Sequence, residues 1–263
     1  TPFQICKEVL PIMLKSKFIA FALLTMCGTV QAADWGTITG QFILEGDVPT
    51  VKPLVAKGDP NAKDAAVCAV NDVPNDAMAF NAENKGIANI VVFMRRAKVV
   101  HPDLATSKEK TVQFDQKGCN FVPHMQIVRT DQKIVCKSSD AAAHNVHATP
   151  FANSAVNFIV QPNDKTGIEV EMPLAEPVAP YVEVKCDIHP WMKAWWIVVD
   201  HPYAAVTDKD GKFTIENLPA GENEFRVWHE KIGFINKKWI VDVPAGKNTS
   251  LEVVEVPLDS FQD

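Results

Sequence analysis

The chain has 263 residues, 47% of them hydrophobic and 22% charged, and a formal net charge of −6. That apolar content supports packed cores rather than disorder, over a length suited to one large or two modest domains. The acidic balance excludes a phosphate-neutralising surface, so nucleic acid is not an expected partner.

The chain opens on an address. Lys15 and Lys17 precede the apolar run 18–30, and Val30-Gln31-Ala32 offers small residues at a cleavage position. This pattern predicts a signal peptide over 1–32, with 1–12 an extension upstream of a start at Met13 and a mature chain from near Ala33. The run is too short to span a bilayer well, so no stable membrane span is expected after cleavage, and the location is periplasmic or secreted. The segment holds Lys7, Lys15 and Lys17 against Glu8, so −6 less +2 leaves −8 for the remainder. Docking partners are therefore expected to be basic or neutral.

Thr37 to Leu44 alternates as a strand and ends at Gly46. Residues 46–85, rich in Pro, Asn and Asp, read as loop. Ile87 to Met94 (IANIVVFM) is a strand, and 95–110 a charged connector. From Thr111 short strands follow one another: 112–114, 121–128, 133–136, 156–160, 167–172, 181–186 and 195–199. Regular short strands with turn signals between them indicate a sandwich or barrel. Residues 205–215 read as a hairpin with an Asp-Gly turn at Asp210-Gly211. Asp208-Lys209-Asp210-Gly211 lacks the later oxygen donors of a calcium loop. Strands at 224–228, 238–243 and 250–256 complete an all-β chain.

Two segments carry chemistry: His144-Asn145-Val146-His147 and Cys186-Asp187-Ile188-His189-Pro190-Trp191-Met192. A Cys, a His three later and a Met three after that converge on one ion if the loop is tight, and Pro190 stiffens such a loop. His144 is the expected fourth donor. A thiolate, two imidazoles and a weak thioether define a trigonal copper site with a long axial Met. Structural zinc takes four Cys or His donors, and iron–sulfur clusters need more thiolates. His147 reads as structural, and His124, His201 and His229 as ordinary surface or hydrogen-bonded residues. With Cys186 assigned to the metal, Cys68, Cys119 and Cys136 remain beyond the signal segment. Cys136 shares a strand face with Ile134 and reads as a buried, inert thiol. That leaves Cys68–Cys119 as the expected disulfide, tying the N-terminal region to the central one.

On these motifs residues 111–200 resemble the cupredoxins, of the amicyanin, pseudoazurin and plastocyanin type. The resemblance implies a Greek-key β-sandwich holding one copper ion, Cu(I) or Cu(II), on His144, Cys186, His189 and Met192. It implies that Asn145 ties the two ligand loops together, as a residue supporting the ligands. It also implies that His189 is the ligand at the solvent edge. Ile188, Pro190 and Trp191 would then form an apolar docking patch for a redox protein such as a cytochrome or dehydrogenase. Ser138-Ser139-Asp140 stands where the family often has an Asn-containing turn, and is expected to leave the ligands untouched.

The run 207–221 (Thr-Asp-x-Asp-Gly-x-Phe-x-Ile-x-x-Leu-Pro-x-Gly) resembles the carboxypeptidase-regulatory-like or transthyretin-like sandwich. Its partner strands lie at 36–44 and 87–94, which suggests that 35–100 and 201–256 form one Ig/transthyretin-like sandwich with the 111–200 unit inserted. The expected function is exported one-electron transfer without catalysis. Two alternatives share the sequence: a copper carrier or chaperone, and an interaction or carbohydrate-binding sandwich with a vestigial site. The several His-x-His pairs and His-Cys-His run of a multicopper oxidase are missing.

Overall fold

A computed structural model describes residues 35–176 and 181–261, and the expected signal peptide lies outside them. Among the described residues there are seventeen strands and no helix long and apolar enough to cross a membrane. In chain order the strands are β1 (Trp35–Glu45), β2 (Val91–Met94), β3 (Thr111–Gln116), β4 (Phe121–Val122), β5 (Met125–Arg129), β6 (Lys133–Ser138), β7 (His144–Ala148), β8 (Val156–Val160) and β9 (Ile168–Glu171). They continue as β10 (Tyr181–Lys185), β11 (Lys193–Val199), β12 (Ala204–Val206), β13 (Lys212–Pro219), β14 (Gly221–His229), β15 (Gly233–Val243), β16 (Asn248–Ser250) and β17 (Val254–Pro257). Among the described residues the one α-helix, α1, is the single turn Ala65–Cys68. The chain is all-β.

Residues 111–199 build two sheets, ordered β4-β3-β6-β9 and β5-β11-β10-β7-β8. Between them lies a core that includes Phe114, Phe121, Ile134, Cys136, Val146, Val184 and Trp196. Phe114 stacks on Phe121 at 5.1 Å and meets Trp196 edge-on at 5.4 Å. Such pairs add roughly 0.5–1.5 kcal/mol each beyond the area they bury.

The strands before and after this unit pair with each other. β1 runs antiparallel to β13 and parallel to β16 and β17, while β2 lies between β12 and β14, with β15 outside. Their two sheets enclose a second core with Ile38, Phe42, Leu44, Val92, Phe213, Phe225 and Val243.

The unbroken apolar run of β2 follows from its being buried on both faces. Val92 and Met94 face this second core, whereas Val91 and Phe93 join Met125, Ile197, Val199 and Trp228 in a third cluster. β11 is two-sided in the same way: Ala194, Trp196 and Val198 enter the first core, and Ile197 and Val199 the third. The two sandwiches thus share an apolar seam. A strand with alternate faces in two cores loses the polar alternation that marks a solvated sheet.

The hairpin expected at 205–215 does not form. β12 pairs with β2 and β13 with β1, so the Asp210-Gly211 turn carries the chain from one sheet to the other. The turn is docked on the first strand: Phe42 N–H donates to Gly211 O at 2.9 Å, and Gln41 Nε2 donates to Asp210 O at 2.9 Å. A local Asp-Gly signal specifies a turn, and the non-local partners decide which strands it joins.

A long loop between β1 and β2 bears on the site. Leu54 N–H donates to Val73 O and Val73 N–H to Val55 O, both at 2.9 Å, closing residues 54–73 into a small lobe that contains α1. Val55, Cys68, Ala69 and Val73 are buried in the first core, and Cys68 is joined to Cys119 by a disulfide.

Candidate metal centre

β7 delivers His144 and Asn145, and the loop between β10 and β11 delivers Cys186 to Met192. β10 pairs antiparallel with β7 (Lys185 opposite His147), which brings the two segments side by side. The loop is tight: Cys186 N–H donates to Met192 O at 3.1 Å, and Met192 N–H to His189 O at 2.9 Å. Two backbone bonds inside seven residues leave the loop little freedom, as ligand spacing of three and three requires.

His144, Cys186 and His189 are buried, with one donor atom of each within 4.8 Å of the others. His144 Nδ1 lies 2.9 Å from His189 Nδ1, and Cys186 Sγ 3.8 Å from His189 Nδ1. Backbone N–H groups of Asn145 and His189 both point at the sulfur at 3.4 Å. Met192 is fully buried in the first core.

Each imidazole has a carboxylate on its other nitrogen. His144 Nε2 is 3.0 Å from Asp140 Oδ2, and His189 Nε2 is 2.9 Å from Asp64 Oδ2. A carboxylate can only accept, so Nε2 carries a proton on both rings and Nδ1 is turned toward the thiolate. This is the second-sphere pattern that fixes tautomer and ring orientation around a metal. Neither carboxylate was legible beforehand, and Asp140 overturns the expectation that the Ser138-Ser139-Asp140 turn leaves the ligands untouched. Its carboxylate also accepts from Gly118 N–H at 2.6 Å and Cys119 N–H at 2.8 Å.

The electrostatics follow. Burial pushes the Cys186 thiol up, but the imidazoles of His144 and His189 and the N–H groups of Asn145 and His189 outweigh it and bring the thiol down to about 6. Burial pushes His144 down, but the hydrogen bond and charge of Asp140, with the Cys186 thiolate, raise it to about 9. Around neutral pH the metal-free centre is therefore a thiolate beside an imidazolium. Cys136, where burial alone acts, is pushed far above the ordinary thiol range and is inert.

Asn145 ties the two segments. Its Oδ1 accepts from Asp187 N–H at 2.6 Å and Ile188 N–H at 3.4 Å, and its Nδ2 donates to Asn157 Oδ1 and Asp187 Oδ2. His147 lies beside the centre and pairs with Asp187 at 2.8 Å. A second buried group, Cys119 with Asp140 and His144, offers no separate metal site because the Cys119 sulfur is spent in the disulfide.

His189 is not at a solvent edge. It is 0% exposed, covered on its Nε2 side by Asp64. Of the expected apolar patch only Pro190 is exposed; Ile188 and Trp191 are half-buried against the first core, as are Ala62, Ala65 and Val67 of the 54–73 lobe. Trp191 also donates its indole N–H to Cys119 O at 3.1 Å. A chain segment more than a hundred residues upstream thus occupies the face that local spacing left open. His124, His201 and His229 are outside the centre: His124 pairs with Glu230, His201 Nε2 donates to Met94 O at 2.9 Å, and His229 is fully buried.

No protein-family model and no curated protein matches the chain. Among solved structures it is similar to amicyanin from Paracoccus versutus, at 12% identity over 41% of this chain and 97% of that one, with a TM-score of 0.29. It is also similar to a purple cupredoxin from Nitrosopumilus maritimus, at 14% identity over 33% and 98%, with a TM-score of 0.25. A third is the Cu-containing nitrite reductase of Thermus scotoductus SA-01, at 16% identity over 34% and 22%, with a TM-score of 0.26.

Proposed function

We propose that this chain is an exported copper protein that transfers single electrons through one ion held by His144, Cys186, His189 and Met192. The observation that carries the reading is the convergence of His144 Nδ1, His189 Nδ1 and Cys186 Sγ in a buried centre whose outer ring nitrogens are both taken. The donor set fits the ion: a thiol brought down to about 6 would supply the soft anion, His144 and His189 two oriented imidazoles, and the buried Met192 a weak fourth donor. Copper bound there supplies a one-electron couple. The chain's own residues hold the donors still, through the Cys186–Met192 and Met192–His189 backbone bonds and the Asn145 bridge. Little movement between oxidation states is what fast one-electron transfer needs. The Cys68–Cys119 disulfide supports an oxidising compartment, in line with export to the periplasm or beyond. In this reading the split 35–100 and 201–256 sandwich is a scaffold, the partner is another redox protein, and no catalysis is involved.

The test is a visible absorption spectrum of residues 33–263 titrated with Cu(II), beside Cys186→Ser. An intense blue thiolate-to-copper band, absent from the variant and bleached by a mild reductant, is the expected result. A colourless protein refutes the reading. Copper that passes to an acceptor without redox cycling replaces it with a carrier.

A further inference from the structure

We propose that Asp64 is a positioning residue for His189, and that the disulfide-pinned lobe 54–73 is a built-in cover that shuts the metal centre on that side. This rests on the copper reading above and deepens it. The cover is part of the chain, so the His189 side of the centre is closed to a docking partner.

The first support is the conformation of Asp64. Its backbone is left-handed, φ 52 and ψ 42, a region that Asp enters more readily than most residues and that departs from the extended backbone of an ordinary N-cap. Asp64 stands at the N-cap of α1, where an Asp side chain ordinarily accepts from the helix's own N–H groups. Here it makes no such bond. Its carbonyl takes Val67 N–H at 2.8 Å and Cys68 N–H at 2.9 Å, and the carboxylate is left to reach His189, 125 residues away. The carboxylate thus makes the distant bond and no local one.

The second support is how firmly the lobe is held. Beyond the Val55–Val73 bridge, Gly58 N–H donates to Ala69 O at 2.7 Å and Lys57 N–H to Asp72 Oδ1 at 2.7 Å. Four residues after Asp64, Cys68 is bonded to Cys119, and Val55, Ala69 and Val73 share a core with Cys186 and Met192.

The third is the far end of the crosslink. Cys119 N–H donates to Asp140 Oδ2, the same oxygen that holds His144. The disulfide therefore stands between the two carboxylates that orient the two imidazoles. The Asp64 side chain is 45% exposed while His189 is 0% exposed, so this carboxylate separates a buried ligand from solvent.

The experiment uses the full mature chain as wild type, Asp64→Asn, Asp64→Glu and the Cys68→Ser/Cys119→Ser pair. In the copper-free proteins, the His189 Nε2–H resonance is followed for solvent exchange; in the copper-loaded proteins, the rate of Cu(I) loss to bicinchoninate. Expected in wild type is a protected Nε2–H signal, exchanging faster in Asp64→Asn, whose neutral amide oxygen is the weaker acceptor, and protected again in Asp64→Glu. Expected also is a copper loss about 10- to 100-fold faster in Asp64→Asn and in the Ser pair, the usual effect of removing a ligand's outer partner. The urea midpoint of copper-free Asp64→Asn should stay near wild type, which separates positioning from folding. An Asp64→Asn protein whose Nε2–H exchanges at the wild-type rate, or that loses copper at the wild-type rate, overturns the proposal and leaves the copper reading standing. A wild-type chain that keeps the signal but takes up no copper refutes the proposed function, and the positioning role with it.

Discussion

Asp140→Asn is the most informative single change at the centre. The carboxylate is 7% exposed and serves three donors: Gly118 N–H at 2.6 Å on one oxygen, Cys119 N–H at 2.8 Å and His144 Nε2–H at 3.0 Å on the other. The amide keeps the shape but has one acceptor oxygen. If that oxygen serves Cys119 and His144, the new NH2 faces the Gly118 N–H, and a buried donor is left without a partner at about 1–3 kcal/mol. Losing the charge on the remaining two bonds adds about 1 kcal/mol. The total is about 3 kcal/mol, at the low end of what breaking a buried ion pair costs. The same change removes the Asp140 share of what opposes burial at His144 and leaves the Cys186 thiolate, so its titration in the copper-free protein should fall below about 9. Global stability against pH is a poor monitor of this. Between about 6 and 9 the raised His144 loses its contribution as pH rises, while the lowered Cys186 gains one, and the slopes oppose. The assay is therefore an NMR titration of the His144 ring, with urea unfolding at pH 7 beside it. A variant whose His144 still titrates near 9 would refute Asp140 as the cause, and one as stable as wild type would refute the three-donor account.

Two further outcomes follow from the flanking sandwich. Burial lowers His229 to about 4, outweighing the nearby Glu230 carboxylate, so the folded chain keeps it neutral while the unfolded chain protonates near 6.5. Its contribution is present above pH 6.5 and lost as pH falls toward 4, by about 3 kcal/mol, and His229→Gln should flatten that part of a urea-stability profile. A parallel acid profile in the variant would exclude His229. Gly211 has φ +75, and a Cβ there would sit 2.0 Å from Phe42 O, so Gly211→Ala should cost about 2–4 kcal/mol of unfolding free energy without altering the ring titration of His144. A thermal midpoint equal to wild type would show that the docked turn tolerates a side chain.

The tight loop from Cys186 to Met192 was legible because its spacing is local. Cys186, His189 and Met192 lie three residues apart, and a tight loop needs nothing from elsewhere to gather them. The strands of β2 and β11 were legible as apolar runs for the same reason. Their sheet partners were not, because a run buried on both faces has no polar side to say which core it serves, and the Asp210-Gly211 turn was read as a hairpin on local grounds alone. The two carboxylates were illegible in kind. Asp140 looked like one more turn residue, although it stands only four residues before His144, and Asp64 like one more acid in a polar loop, 125 residues from His189. What the amino-acid order determines by itself is the Cys186-to-Met192 spacing and the β texture, which arise within a few residues. The His144 ring is turned by Asp140, four residues before it, but the orientation and cover of His189 are set by a contact across 125 residues and a disulfide, which exist only once the chain has closed on itself.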